Sequence, residues 1–324
     1  MIVPEVFNPY LIQRTTELNA VIASGIATKD PDLQWGNTTR RVKGGKTINI
    51  PFWKNIISDD DDDEVLSDSV SLTVNNITSD ESKAAIHARG KAWSVNDLAR
   101  YFSGDDPMGA IADMTAGFWA NKEQKLLLKS LEGVFACSDM ADSKLDISTK
   151  SGSDGIVSSN ALIDAIYKLG DANGKIQGMM MHSAVMNKLV KLNLISTIRD
   201  AEGKILYDSY LSKRVIVDDA IAPVEVTVDE STKYAYPIYF FGAGAVSFNE
   251  DTANISNKTD EDILADDTVL AQRRYFVMHP RGMSWEGTAS GVTPSYEELA
   301  DGSNWKLADA RKNVAITELL ARVD

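Results

Sequence analysis

The first 44 residues carry apolar side chains without a regular period, interrupted by prolines and glycines. The prolines limit any helix in this stretch to a short one over residues 12–23. The pattern therefore predicts an extended N-terminal arm. Because an arm with so many apolar groups has to be covered, we expect Phe7, Tyr10 and Leu11 to contact a neighbouring subunit.

From residue 45 to residue 92 the pattern changes to a period of two, which is typical of β-strands. The apolar side chains that alternate in this way are Ile48, Ile50, Phe52, Val70, Leu72 and Val74. Paired strands around residues 48–52 and 70–74 would form a long two-stranded hairpin. Since such a ribbon is marginally stable alone, we expect these six side chains to form intersubunit contacts.

An acidic run, SDDDDDE, occupies residues 58–64 between the two legs of this hairpin. Its mutual repulsion predicts a solvated segment. A calcium site is the alternative, because hard cations bind several carboxylates. Consecutive aspartates in an extended chain point in alternate directions, however, and the run lacks the spaced ligands and turn glycine of a calcium loop. We therefore expect no metal site.

A long helix is predicted over residues 105–136. Asp105-Asp106-Pro107 provides a capping carboxylate followed by a proline at the first helical position. At 1.5 Å per residue this helix is roughly 45 Å long, the length of a structural spine. Apolar residues recur at helical spacing. The side chains predicted to form its core are Ile111, Met114, Phe118, Leu127 and Leu131.

A compact α+β region follows over residues 155–260, and strands return after residue 261. Its patterns predict a helix over residues 159–169 and a further helix capped by Ser183. The strands predicted from short apolar runs cover residues 84–95, 178–182, 214–219, 237–242 and 269–278.

Composition is that of an ordinary globular protein, with 44% hydrophobic and 25% charged residues. No stretch approaches the roughly 18 uninterrupted apolar residues of a membrane span, and the N-terminus lacks the pattern of a signal peptide. We therefore expect a reducing cytosol and no membrane partner. The single cysteine, Cys137, is interpreted as a small buried hydrophobic residue.

The formal net charge is -14, from 33 basic and 47 acidic residues. Duplex binding requires clustered Lys and Arg, which no single segment offers. The sequence therefore predicts no sequence-specific nucleic-acid binding. An acidic wall is compatible with enclosed DNA that does not adhere to it.

No motif for catalysis, cofactor binding or metal binding stands out. The run from Gly242 to Ala245 begins like a dinucleotide fingerprint, but Ser247 replaces the third glycine, so a tight turn between strands is the preferred interpretation. His87, His182 and His279 lie nearly a hundred residues apart, without metal-ligand spacing. We predict no catalytic residue, no cofactor and no metal.

The order of these elements resembles the tailed-bacteriophage major capsid proteins of the Hong Kong 97-type fold, and most closely the coat proteins of siphophages of Gram-positive hosts. The segments that carry the resemblance are VPEVFNPY at 3–10, GDDPM at 104–108, MHSAVM at 181–186, KRVIVDD at 213–219, FGAGA at 241–245 and FVMHPRG at 276–282. The six segments occur in the same order, and the resemblance covers nearly the whole chain.

This resemblance implies a division of the chain into domains. The implied parts are an N-terminal arm at 1–44, an extended E-loop at 45–92, a peripheral P domain at 93–154 with spine helix 105–136, an axial A domain at 155–260, and returning P-domain strands with a C-terminal segment at 261–324. Family members that cross-link use a lysine on the E-loop. Because the hairpin tip here consists of aspartates, no cross-link is expected.

The resemblance also implies partners. The chain would form hexamers and pentamers of an icosahedral head that encloses double-stranded DNA, with a portal protein at one vertex. A decoration protein is optional. The short stretch before Pro4 leads us to expect a separate scaffolding protein. The expected location is the virion capsid, assembled in the host bacterial cytoplasm.

Two other interpretations stay open at this point. One is an encapsulin-like nanocompartment shell with the same fold, which particle size, a portal vertex and DNA content would separate from a phage head. The other is a soluble enzyme, for which a small inert oligomer would be the expected state in solution.

Overall fold

The computed structural model describes residues 46–54, 79–96, 107–200, 202–250, 256–262 and 267–324, together with residues 13, 15, 19, 24 and 26–29. Its helices are α1 Pro107–Ala136, α2 Ser159–Ile166, α3 Ser183–Lys191 and α4 Tyr296–Ala300. Short 3-10 helices cover Ser138–Ser143, Gly152–Gly155, Tyr167–Lys175, Gly302–Asn304 and Arg311–Asn313.

Strands make up much of the remainder of the described chain. They are β1 Ala27–Lys29, β2 Thr47–Trp53, β3 Ser79–Ala85, β4 His87–Asn96, β5 Lys144–Asp146, β6 Ile176–Met181, β7 Ser196–Arg199, β8 Ile205–Tyr210, β9 Lys213–Val217, β10 Val224–Val228, β11 Ser231–Gly242, β12 Val246–Glu250, β13 Ser256–Asp262, β14 Asp267–Pro280, β15 Met283–Trp285, β16 Trp305–Leu307 and β17 Ile316–Arg322.

The first large sheet is built around the long strand β14. Strand β4 pairs with it antiparallel, and β13 and β12 also pair with it antiparallel. Strand β1 then adds to β12 in parallel, so that a piece of the N-terminal segment completes this sheet. We call it the β14 sheet.

The second large sheet has the order β5-β17-β11-β6-β9-β8-β7, and β10 pairs with β11. It combines parallel pairs, such as β6 with β9, with antiparallel pairs, such as β11 with β17. We call it the β11 sheet. The described residues thus form a mixed α and β protein with two large sheets and two two-stranded sheets, β2 with β3 and β15 with β16.

Both faces of the β11 sheet are covered, because its central strands alternate between two apolar clusters. Tyr239 and Phe241 face one cluster, which also contains Leu127 and Phe135 of α1. The rings of Phe135 and Tyr239 stack with centroids 5.8 Å apart. Residues of the opposite alternation, such as Phe240, face a second cluster with α2 and α3. The long helix therefore lies on one face and the two shorter helices on the other.

Two parts of the expected domain division differ from these sheets. The C-terminal strand β17 was expected to return with the strands after 261, yet it pairs with β11 in the second sheet. Strand β12, expected in the region 155–260, pairs instead with β14. The chain therefore crosses between the sheets at the turn 243–245. Pairing between distant strands decides this crossing, and local periodicity carries no information about it.

The short helix after β6 differs in its cap. Ser183 was expected to be the capping residue, but His182 is the N-cap, and its Nδ1 accepts a hydrogen bond from the Ala184 amide at 3.0 Å. Histidine can serve in this way because a neutral imidazole has one acceptor nitrogen.

Candidate assembly surfaces

The predicted hairpin is present, and β3 is the described part of its second leg. Strand β2 pairs antiparallel with β3, from Thr47 opposite Ala85 to Trp53 opposite Ser79. The expectation that residues 70–74 form the partner strand of residues 48–52 is therefore wrong. The stretch SDESKAA of β3 contains no large apolar side chain, so its strand character was not evident from periodicity. Residues Val70, Leu72 and Val74 lie outside the described part of the chain.

The two faces of this hairpin have different surroundings. Ile48 is buried, and Ile50 and Phe52 are half-buried, on one face. On the other face, the Trp53 side chain is 72% exposed. A large exposed indole on a projecting strand is a candidate for contact with another molecule, because exposed aromatic groups dominate many protein interfaces.

Ile48 itself belongs to the core of its own subunit. It packs in a cluster with Ala84, Ile86 and Val277 of β14, and Ile50 packs against this cluster. The expectation that Ile48 forms an intersubunit contact is therefore wrong. The root of the hairpin sits on the β14 sheet, and period-two alternation cannot tell which surface covers an apolar face.

Polar contacts also hold the hairpin root to the body. The Lys46 ammonium donates to the carbonyl oxygen of Ala289 at 3.1 Å. The Lys83 ammonium lies 3.0 Å from one carboxylate oxygen of Glu286. The other oxygen of Glu286 accepts a hydrogen bond from the Ser284 hydroxyl at 2.9 Å. These contacts lie at or near the base of the strands. The root is therefore fixed by its own subunit.

The long helix matches its predicted bounds to within two residues, since it begins at Pro107 and ends at Ala136. Leu127 and Leu131 are fully buried. Phe118 is half-buried, with its ring edge-on to Trp93 and Trp119 at centroid distances of 5.5 and 5.4 Å. The Ile111 side chain lies outside the described part of the structure.

Met114 does not lie in the core, and its expected place there is wrong. Its side chain is 73% exposed. The buried stripe at this end of the helix runs instead through Thr115, Trp119 and Glu123. Because two of these three residues are polar, apolar spacing alone selects the wrong stripe. Met114 is therefore available for contact with another molecule.

Glu123 belongs to a buried charge cluster between α1 and the β14 sheet. Arg274 of β14 lies 2.9 Å from Glu123 and 2.5 Å from Glu250 of β12, measured between nitrogen and oxygen atoms. The exposed fractions of the Glu123 and Arg274 side chains are both 1%. The Arg274 guanidinium also lies 5.4 Å from the centroid of the Trp119 ring. Two carboxylates therefore share one guanidinium away from water.

This arrangement perturbs both partners. Burial raises the pKa of Glu123 to about 7, Arg274 opposes this shift, and the charge of Glu250 adds to it. Burial acts against the charge of Arg274, but Glu123 and Glu250 outweigh burial and raise its pKa. The helix, β12 and β14 are thus joined by one buried charge cluster, which no residue spacing in the sequence indicates.

The N-terminal segment reaches the same cluster. The Asn19 side-chain amide donates to the second carboxylate oxygen of Glu123 at 3.0 Å, and both Asn19 and Thr15 are buried. This part of the expected arm therefore lies on its own subunit. The arm residues proposed to touch a neighbour, Phe7, Tyr10 and Leu11, lie outside the described residues.

A second exposed apolar surface lies at the far edge of the β11 sheet. Strand β7 is the edge strand, and all four of its residues are exposed. Ile198, Ile205, Leu206 and Leu211 add exposed apolar side chains on β7, β8 and the following turn. We call this the β7–β8 edge. Exposed apolar groups on an edge strand favour pairing with another chain.

The groups that could carry chemistry are in structural roles. Burial lowers the pKa of His87 to about 3 and of His279 to about 4, so both rings are neutral near pH 7. Cys137 is buried. Within the described ranges, no group of three or more His, Cys, Asp or Glu residues could hold a metal ion. The acidic run at 58–64 lies outside those ranges.

The glycine-containing run is a turn between β11 and β12. Gly244 has a φ of +63°, a conformation that glycine adopts without strain. Among the described residues, no helix combines the length and apolar character that crossing a membrane requires.

Comparison with known proteins identifies the family. Residues 44–315 match the model of the Gp13-like family, described as major capsid protein 13-like. The major capsid protein of Bacillus phage SPP1 is 41% identical over 324 residues, which is 100% of this chain and 97% of that protein.

Solved structures agree with the fold at low sequence identity. The capsid of Ralstonia phage GP4 superposes with a TM-score of 0.60 at 8% identity, over 93% of this chain and 88% of that one. A structure from Microbacterium phage Oxtober96 gives a TM-score of 0.54 at 9% identity, over 93% and 90% of the two chains. The cyanophage Pam1 capsid gives 0.52 at 9% identity, over 89% and 87%.

The family match covers most of the chain and the SPP1 relative covers all of it. This family is structural and not enzymatic, which agrees with the exposed apolar edges and the structural roles of the histidines. The chain belongs to the Gp13-like family of phage major capsid proteins.

Proposed function

We propose that this chain self-assembles through hexamers and pentamers into the icosahedral head of a tailed phage and encloses double-stranded DNA there. Full-length identity of 41% to a phage major capsid protein carries the proposal. The β7–β8 edge supports it, because several exposed apolar side chains grouped on an edge strand favour contact with another chain.

The domain roles are part of the same proposal. The hairpin β2–β3 with the chain between its strands would be the E-loop, and α1 with the β14 sheet would be the peripheral P domain. Most of the β11 sheet, with α2 and α3, would be the axial A domain. The sheet pairing supports a P domain that includes β12 and an A domain that includes β17.

Contacts around the capsomer axes would involve the β7–β8 edge. It lies at the end of the β11 sheet remote from β17 and β5, which are at the opposite end of the strand order. Its exposed Ile205 and Leu206 would be covered by a neighbouring copy. Burying such side chains against a neighbour contributes roughly 1.5–3 kcal/mol each.

The remaining partners follow from the resemblance alone. These are a separate scaffolding protein, a portal protein at one vertex and, as an option, a decoration protein, with assembly in the host bacterial cytoplasm. The net charge of -14 is compatible with enclosed DNA that does not adhere to the wall.

Negative-stain imaging of the purified chain tests the proposal. Rings, tubes or closed shells at micromolar concentration are the expected result. A population of small oligomers that persists with a co-expressed scaffolding protein would contradict it. Particles produced with the complete set of head proteins should have a portal vertex and DNA content, which would separate a phage head from a nanocompartment shell.

A further inference from the structure

A groove lies where the two large sheets meet. It opens beside the start of β6 with a volume of about 450 Å³, and an adjoining groove of about 320 Å³ continues past the turn after β11. Gln177 and Ala243 line both, so the two form one continuous surface. We call it the junction groove.

The charged side chains along the junction groove are all basic. They are Lys175, Lys213, Arg214 and Arg281. No carboxylate occurs among the described residues that line it. In a chain with 47 acidic and 33 basic residues, four cations without an interspersed acid mark a surface that attracts anions.

Two of these cations are held by neutral acceptors. The Lys213 ammonium donates to the carbonyl oxygen of Ile176 at 2.9 Å, and the Lys175 ammonium donates to that of Lys312 at 3.0 Å. A carbonyl orients an ammonium without cancelling its charge. Burial lowers the pKa of Lys213, so its charged form would gain from an anion close by.

The rim of the groove adds an apolar contact. Leu211 lines it with an exposed side chain, and its φ of 46° is followed by 63° at Ser212. A leucine in the left-handed region is rare and costs energy, and such strain concentrates at functional positions. The β8–β9 turn thus holds an apolar side chain beside the cations.

We propose that the junction groove binds the acidic segment 58–64 of a neighbouring copy of this chain. That segment, SDDDDDE, carries six carboxylates, and it is flanked by Ile56-Ile57 and Val65-Leu66. The carboxylates match the four cations, and the aliphatic flanks match the Leu211 rim. The inference rests on the proposed self-assembly and names the surface that receives this acidic segment.

A peptide is favoured over DNA as the occupant for two reasons. Within an assembled shell, every neighbouring copy carries the acidic segment, so the segment is present at a high effective concentration. DNA is not attached to the subunits in this way. Apolar flanks on the segment also correspond to an apolar rim, which a phosphate backbone would leave uncovered.

The binding test uses fluorescence anisotropy with a labelled peptide of residues 56–66 and the purified full chain. Saturable binding that weakens as salt rises from 50 to 500 mM is expected, since the screening length for surface charges falls from about 14 Å to about 4 Å over this range. A matched peptide with Asn for each Asp and Gln for Glu64 should bind at least about tenfold more weakly.

Groove variants locate the site. The double variant Lys175→Glu with Arg281→Glu should weaken peptide binding at least about tenfold, whereas Lys150→Glu, an exposed lysine outside the groove, should not. Lys175→Gln with Arg281→Gln gives a milder second variant, and circular dichroism checks that each remains folded. Equal binding by the groove and control variants would overturn the proposal, as would a 20-base-pair duplex that binds the groove where the acidic peptide does not.

A charge exchange in the full chain links the groove to assembly. Changing Asp60, Asp61, Asp62 and Asp63 to Lys should reduce shell yield, and adding the groove double variant to the same chain should restore it. If neither the aspartate-to-lysine chain nor the groove double variant changes the shell yield by itself, while the wild-type chain forms shells normally, this inference is wrong and the proposed function still stands. Failure of the wild-type chain to form shells would count against the proposed function itself.

Discussion

The side-chain amide of Asn19 donates a 3.0 Å hydrogen bond to the carboxylate of Glu123, which lies 104 residues further along the chain. Through Glu123, this contact joins the N-terminal segment to α1, and through Arg274 it joins both to the β14 sheet. One buried cluster therefore couples three distant parts of the sequence. Because two carboxylates share one guanidinium, the cluster is also sensitive to protonation.

Glu123→Gln should change the pH dependence of stability. The folded pKa of Glu123 is raised from 4.5 to about 7, so between these values the folded state holds a proton that the unfolded state has lost. Its stabilising contribution is complete below about pH 4.5 and is lost as pH rises through about 7. The variant should therefore gain about 1–3 kcal/mol relative to wild type between pH 5 and pH 8.

Urea denaturation of both proteins at pH 5, 6, 7 and 8 checks this expectation. The difference between the two proteins is the useful quantity, because buried His87 and His279 have lowered pKa values and contribute the opposite slope in both. A difference that stays constant with pH would show that Glu123 does not titrate in this range.

Arg274→Ala should destabilise the subunit by about 3–5 kcal/mol, because it leaves two buried carboxylates without their cation. Arg273→Ala removes the same charge from an exposed neighbouring position on β14 and should change stability by less than about 0.5 kcal/mol. Chemical denaturation of the two variants at pH 8 makes the comparison. Equal effects would mean that the cluster is not a structural link.

Leu131→Ala and Met114→Ala compare two positions of the same helix. Leu131 is fully buried, so its truncation should cost about 2–5 kcal/mol. Met114 is 73% exposed, so its truncation should leave subunit stability within about 0.5 kcal/mol. Thermal or urea unfolding distinguishes them. A large loss of unfolding free energy for Met114→Ala in the unassembled subunit would show that Met114 belongs to the core, as its apolar spacing predicted.

Trp53→Ser should separate assembly from folding. Since the indole is 72% exposed in the subunit, its loss should leave the unfolding free energy within about 0.5 kcal/mol of wild type while shell yield falls. Ile48→Ala provides the contrast, because this buried root residue should cost about 2–5 kcal/mol in the subunit itself. Normal shell yield from Trp53→Ser would show that this face of the hairpin makes no essential contact.

Local patterns predicted the long helix, the two helices that follow it and several central strands, but not how the strands pair. The Asp-Asp-Pro start located α1 to within two residues, and the apolar run at 178–182 located β6, because capping and burial are properties of neighbouring residues. The partner of β2 was predicted incorrectly, since β3 has little alternation of large apolar side chains. Register and sheet order depend on contacts between distant segments, which a single sequence does not display.

The candidate surfaces were harder to predict than the elements. Periodicity identified Ile48 as one side of a strand, but whether its own chain or a neighbour covers that side is decided by tertiary structure. The cluster of Glu123, Arg274 and Glu250 had no signal at all, because its members are 127 and 24 residues apart along the chain. Exposed Trp53 was overlooked because apolar patterning treats it as the off-phase residue of its strand.

Sedimentation velocity of a chain with a shortened hairpin tests whether the segment between β2 and β3 is needed for assembly. Replacing residues 54–78 by Asn-Gly closes β2 and β3 at the pair Trp53 and Ser79 with a two-residue turn, and it keeps the root contacts. We expect a folded subunit with near-wild-type circular dichroism that sediments as a monomer or small oligomer, while the wild-type chain forms closed shells. Closed shells from the shortened chain would contradict this expectation, because the removed segment could then not be the intersubunit contact on which the proposed assembly depends.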